Sequence, residues 1–124
     1  KEEDTVVPRA ALPALVRGVK EICGRAGIRV VCYGHAGDGN LHCNLLRMDM
    51  DEAAWNDRVP AVVEEIFRLT VSLGGMISGE HGIGWVQRRY LHLACPPAEI
   101  EVMRALKRAF DPQGILNPDK MLPE

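Results

Sequence analysis

The chain has 124 residues, 47% hydrophobic and 26% charged, which fits one soluble globular domain able to bury its own core. A formal net charge of −2 argues against a nucleic-acid partner, because phosphate binding wants a clustered basic surface. No apolar run approaches the roughly 20 residues of a membrane-spanning helix, and no signal-peptide pattern opens the chain.

Taken in order, "TVVPRAALPALVRGVKEICGRAGIRVVCYGH" begins as an extended segment ending at Pro8. A helix is predicted from about Ala10, with Leu12, Leu15, Val16, Val19 and Ile22 at helical spacing and Pro13 in the tolerant first turn. Gly27 ends it. The β-branched run Ile28 to Tyr33 predicts a strand, and "NLHCNLLRM" a second one antiparallel to it, since so short a connection cannot hold a parallel crossover. Asp51 is the predicted N-cap of a long helix with a buried stripe of Val59, Val62, Val63, Ile66, Phe67, Thr70 and Leu73. Pro60 is expected to kink or restart that helix, and Gly74-Gly75 to end it.

"MISGEHGIG" reads as a loop or short strand followed by a turn, and "WVQRRYL" as a short helix. "PPAEIEVMRALKRAFD" is a helix with prolines at its start, apolar Ile100, Met103, Leu106 and Phe110, and a stop at Asp111-Pro112. The tail "QGILNPDKMLPE" has no periodicity and is expected to be irregular. The order of pieces gives an α+β fold with a small antiparallel sheet packed with helices. Cys23, Cys32, Cys43 and Cys95 show no CxxC spacing and read as reduced, mostly buried residues of a reducing compartment. The first residue is Lys1, so an excised or processed piece is expected.

Two stretches carry candidate chemistry. In "GHAGDGNLHCN" the glycine-rich turn would put His35 and His42 on facing strands, close enough for two imidazoles to converge on one cation. Asn44 would project from the same face as His42. Alone, the stretch fits a polar turn with two solvated histidines equally well. In "SGEHGIG" a carboxylate and an imidazole sit in a glycine-bounded loop, poor core material but suited to close approach by a ligand. Glu80 would complete a His-His-Glu set with open positions, and His81, beside the cation, is a candidate general base. Elsewhere, Met103 and Phe110 read as core, Trp85 as packed against the loop, and His92, Arg88 and Arg89 as surface.

The stretches "GHAGDGNLHCNLL", "GGMISGEHGIG" and "FDPQGILNPDKM", in this order and spacing, resemble the FAD-linked oxidases of the vanillyl-alcohol oxidase superfamily. The similarity is to the C-terminal part of their D-2-hydroxyacid dehydrogenase branch, which includes glycolate oxidase, D-lactate dehydrogenase and D-2-hydroxyglutarate dehydrogenase. It implies that residues 1–95 form part of a ferredoxin-like substrate-binding cap. Residues 96–124 would be a helical return segment packing on an FAD-binding domain that this chain lacks. By the same resemblance His35, His42 and Glu80 match ligands of a divalent metal, zinc or manganese. His81 matches the residue that accepts the substrate hydroxyl proton, Asn44 a residue beside the substrate, and Asn117 one that touches the flavin region. The family more often carries Gly where Asp119 stands.

The implied partners are a small 2-hydroxyacid, the N-terminal FAD domain and iron–sulfur or other electron-transfer subunits, with homodimerisation through an exposed apolar face as a further expectation. The implied location is cytoplasmic or peripheral to the inner membrane through such subunits. The isolated chain is expected to be inactive. Two other classes stay open from the residues: a self-contained His-His-Glu metal-dependent hydrolase, and a non-catalytic subunit-contact module.

Overall fold

A computed structural model describes residues 1–122; Pro123 and Glu124, the last of the tail read as irregular, lie outside the described residues. Two compact units divide the chain, one from Lys1 to His81 and one from Gly82 onward.

The first unit runs β1 (Glu2–Val6), α1 (Leu12–Arg25), β2 (Arg29–His35), β3 (Asn40–Leu46) and α2 (Glu52–Ser72). Its sheet has the order β1-β3-β2, with β3 antiparallel to both neighbours. β1 and β2 are therefore parallel, joined by α1 as a crossover, with β3 inserted between them: a split β-α-β unit. Met76 pairs antiparallel with Val6 on the outer side of β1, through Val6 N–H to Met76 O at 3.1 Å and Met76 N–H to Val6 O at 2.9 Å. That bridge stands where the last strand of a β-α-β-β-α-β, ferredoxin-like unit would run. The predicted hairpin is present, but the sheet has a third strand. That strand, β1, starts at Glu2, before the segment read as extended from Thr5 to Pro8, shares only Thr5 and Val6 with it, and pairs with β3 along its whole length.

The helices form for the reasons their periodicity gives. α1 buries Leu15, Val19, Ile22 and Cys23, with Pro13 in its first turn, where a missing N–H is harmless. Gly18 of α1 lies so close to Leu69 that a Cβ would overlap its Cδ2, so the two helices touch nearly backbone to side chain. α2 is capped by Asp51, whose side chain accepts Ala54 N–H at 2.9 Å. The helix is continuous from Glu52 to Ser72, so of the kink or restart expected at Pro60 the restart does not occur. A proline there costs about 3 kcal/mol. Six buried residues on the same helix, Val59, Val62, Val63, Ile66, Phe67 and Thr70, outweigh it, since each large apolar side chain contributes roughly 1.5–3 kcal/mol.

These stripes meet Leu41, Cys43 and Leu45 of β3 in one core. All four cysteines are free, and Cys23, Cys43 and Cys95 are buried.

The second unit holds a 3-10 turn (Arg88–Tyr90), α3 (Leu91–Ala94) and α4 (Pro97–Phe110). Its small core is Leu91, Cys95 and Ile100, with Ile83, Ala94, Met103 and Leu122 packed against it. The apolar stripe of α4 is only half used: Leu106 is 56% and Phe110 82% exposed, so Phe110 is a surface residue and not core. Trp85 is likewise not packed away; it is 52% exposed, with the Arg88 guanidinium 3.9 Å above its ring. His92 is exposed as expected.

After α4, Asp111 ties the chain down by accepting Ile115 N–H at 3.0 Å and Leu116 N–H at 2.9 Å. Asn117 and Asp119 then adopt φ of 48° and 60°. That left-handed backbone is what glycine takes without strain, a physical reason for a glycine preference at position 119. Among the described residues no helix is long and apolar enough to cross a membrane.

Candidate metal centre

Alternation along the three strands sorts side chains onto two faces. The core face carries Thr5, Leu41, Cys43 and Leu45. The opposite face carries Glu2 and Asp4 from β1, Asn40, His42 and Asn44 from β3, and Tyr33 and His35 from β2. So many polar groups on one face would be ordinary if water covered them, but Asp4 is fully buried, His42 is 4% exposed and Asn40 5%. What covers them is the loop Ser78–His81.

That loop is held by Asp4. Its Oδ2 accepts the Ser78 hydroxyl at 3.1 Å and three successive backbone N–H groups, from Gly79 at 2.8 Å, Glu80 at 2.7 Å and His81 at 2.8 Å. Its Oδ1 accepts Asn40 Nδ2 at 2.6 Å. Burial pushes the Asp4 carboxyl up, but the N–H groups of His81 and Glu80 and the side chains of Asn40 and Ser78 outweigh it, leaving a pKa of about 2. Gly79 is required sterically: a Cβ there would collide with Asn40 Nδ2.

Thus anchored, Glu80 Oε1 lies 3.0 Å from His42 Nε2, 3.5 Å from His35 Nε2 and 4.0 Å from His81 Nε2. The ligand atoms of His35, His42 and Glu80 all lie within 4.8 Å of one another. Ligands about 2.1 Å from a tetrahedral cation stand about 3.4 Å apart, so the two His–Glu distances bracket what a zinc-like ion needs. One wall is buried and the rest is open: the His35, Glu80 and His81 side chains are 60%, 48% and 53% exposed.

His35 and His42 lie on the facing strands β2 and β3 but not in direct register. Tyr33 faces His42, and His35 faces Asn40, so the two histidines are diagonal neighbours. Their rings nonetheless approach to 5.8 Å between centroids, edge to face, and the His81 ring stacks 5.1 Å from that of His42.

Asn44 shares the His42 face one pair further along β3, opposite Glu2 and Val31, and its amide bonds the Tyr33 oxygen. Asn117 belongs to the second unit, where it is exposed. Sequence reasoning missed Asp4, Asn40, Glu2 and Tyr33. The available signal was "EED" inside an otherwise β-forming segment: a strand interior with carboxylates is costly unless those groups have partners.

The chain matches the sequence profile of FAD linked oxidases, C-terminal domain, over residues 2–121. It is 42% identical over 121 residues to glycolate oxidase subunit GlcD of Bacillus subtilis (strain 168), covering 96% of this chain and 25% of that protein. It is 38% identical over 120 residues to D-lactate dehydrogenase of Anaerostipes hadrus, covering 97% and 25%. A third relative, D-2-hydroxyglutarate dehydrogenase of Stutzerimonas stutzeri (strain A1501), is 39% identical over 123 residues, covering 97% and 26%. The chain thus spans about a quarter of the length of these curated relatives.

Proposed function

The chain belongs to the family of FAD-linked oxidase C-terminal domains, and from that premise we propose that it is the substrate- and metal-binding part of an FAD-dependent D-2-hydroxyacid dehydrogenase. The observation that carries the reading is the convergence of His35, His42 and Glu80 on one cation-sized space, with His81 beside it.

In this reading His35 Nε2, His42 Nε2 and Glu80 Oε1 would hold the cation beside the bound substrate. A bound zinc or manganese ion would supply Lewis-acid polarisation of the hydroxyl, and FAD the acceptance of hydride. His81 is the base: its Nε2 takes the hydroxyl proton as the 2-hydroxyacid becomes the 2-oxoacid. The imidazole stacked on His42 limits its motion, and the N–H to Asp4 fixes its backbone. Asn44, on the same sheet face, offers an amide to the substrate. Asn117 and the tail around it would meet the flavin side.

The exposed apolar side chains of α4, Leu106 and Phe110 with Val102 at 60%, are the surface we assign to the FAD-binding domain. Electron-transfer subunits and a cytoplasmic site of action are further parts of the same proposal.

Metal analysis of the purified chain tests it. Wild-type protein should hold about one equivalent of zinc or manganese, and His42→Ala and Glu80→Ala should hold none. Equal content in all three overturns the proposal. The chain mixed with FAD and D-lactate should not bleach the flavin band; joined to its FAD domain, it should.

A further inference from the structure

His42 is the most buried of the three ligand candidates, and its two ring nitrogens have different surroundings. Nε2 faces Glu80 at 3.0 Å. Nδ1 is buried and, among the described residues, has no hydrogen-bond partner in satisfactory geometry. A buried N–H left unpaired is costly, and an imidazole whose second nitrogen is untethered can rotate or change tautomer. Two carboxylate oxygens lie near it: Glu2 Oε1 at 3.3 Å and Asp4 Oδ1 at 3.9 Å.

Asp4 is already committed. Its Oδ1 holds Asn40 at 2.6 Å and its Oδ2 holds the loop, so turning it toward His42 would release the segment that carries Glu80. Glu2 is not so committed. Its side chain is 37% exposed and can adjust, and Tyr33, on the strand beyond His42, pairs with its carboxylate.

We propose that Glu2 is a positioning residue of the metal centre: its carboxylate accepts Nδ1–H of His42 and holds the ring with Nε2 toward Glu80. This rests on the metal reading above and extends it to a residue on a different strand. Ligating histidines generally hand their second N–H to a carboxylate or carbonyl, which fixes the tautomer and raises the basicity of the ligating nitrogen. Tyr33, Glu2 and His42 form such a relay across all three strands. Glu2, His42 and His81 also lie close enough to form a rival ligand set, with Glu2 itself on the ion; the test separates the two roles.

Zinc affinity is measured by competition with a chromophoric chelator for wild type, Glu2→Gln, Tyr33→Phe and His35→Ala. The imidazole N–H signals of the zinc-loaded proteins are followed by proton–nitrogen NMR. Glu2→Gln should weaken zinc roughly 10- to 100-fold. It should also broaden the His42 Nδ1–H signal, sharp in wild type, through exchange with water. Tyr33→Phe, which removes no ligand and no charge, should shift both in the same direction by less. His35→Ala should lose zinc.

If Glu2→Gln binds zinc as wild type does, with an unchanged Nδ1–H signal, while His35→Ala loses it, the inference falls and the metal reading survives. Loss of zinc in Glu2→Gln with retention in His35→Ala would make Glu2 a ligand and overturn the positioning role. A wild-type chain that takes up no zinc or manganese removes both readings.

Discussion

Asp4, in the middle of β1, accepts the backbone N–H of His81 at 2.8 Å across 77 positions of sequence. The same oxygen accepts the N–H groups of Gly79 and Glu80, so one buried carboxylate sets the backbone of the loop bearing a ligand candidate and the base candidate. Charge-assisted bonds of this kind are about twice as strong as neutral ones, and here several act on one short segment.

Replacing that carboxylate by an amide tests how much the loop depends on it. Asn has one acceptor oxygen, so in Asp4→Asn either the loop or Asn40 must face an NH2 group. We expect a loss of about 3 kcal/mol of unfolding free energy, given roughly 1.5–3 kcal/mol for a bond to a charged group. Zinc affinity should fall with it, at least about tenfold. Urea unfolding and chelator competition measure the two; a variant matching wild type in both would show that the loop holds its shape unaided.

The pH dependence follows from the sign of the Asp4 shift. Its folded pKa is depressed to about 2 from an ordinary 3.8, so the unfolded chain binds the proton more readily. The stability this group contributes is therefore fully present above the unfolded value and lost as pH falls from there through 2. Thermal melts of wild type and Asp4→Asn at a series of pH values between 5 and 2 should show their difference narrowing toward the acid end. A difference that stays constant over that range would refute the shift.

Gly79 and Gly37 make a matched pair. A Cβ at Gly79 meets Asn40 Nδ2 and, at 3.0 Å, Asp4 Oδ1, whereas one at Gly37 meets nothing within 4 Å. Gly79→Ala should cost roughly 1–3 kcal/mol, as overpacking does, and weaken zinc binding by displacing Glu80. Gly37→Ala, in the turn of the histidine hairpin, should stay within about 0.5 kcal/mol of wild type. Similar behaviour of the two variants in melts and metal titrations would contradict the packing around Asn40.

Phe110 tests the reading of α4. A core phenylalanine costs roughly 3–5 kcal/mol when truncated to alanine. At 82% exposure, Phe110→Ala should change the unfolding free energy of this chain by less than about 0.5 kcal/mol. It should instead weaken docking of an added FAD-binding domain, measurable by calorimetry. A large loss of stability in the isolated chain would restore Phe110 to a core.

Much of this is legible in the chain itself. The periodicity of Leu15, Val19 and Ile22, the Asp51 cap and the β-branched run before "GHAGDGN" each depend on neighbours within a few residues, and each leads to the element observed. His35, His42 and Glu80 can be suspected together because their residue types suit a cation and the motifs around them are distinctive. That α2 continues through Pro60 is harder to read for the opposite reason: the proline's penalty is local and visible, while the burial that offsets it comes from distant partners.

The sequence by itself determined α1, α2, α4, the hairpin and the family, since short-range spacing and motif identity carry them; the short helix expected over Trp85–Leu91 is instead a turn leading into the 3-10 turn Arg88–Tyr90 and α3 (Leu91–Ala94). Only the tertiary structure decided that β1 joins the sheet, that Tyr33 and not His35 faces His42, and that Asp4 ties down the Glu80–His81 loop. Strand register and long-range hydrogen bonds depend on which arrangement packs the core best. A one-residue slip in β1 would send Glu2 and Asp4 to the core face, and nothing within the five residues of that strand specifies the choice.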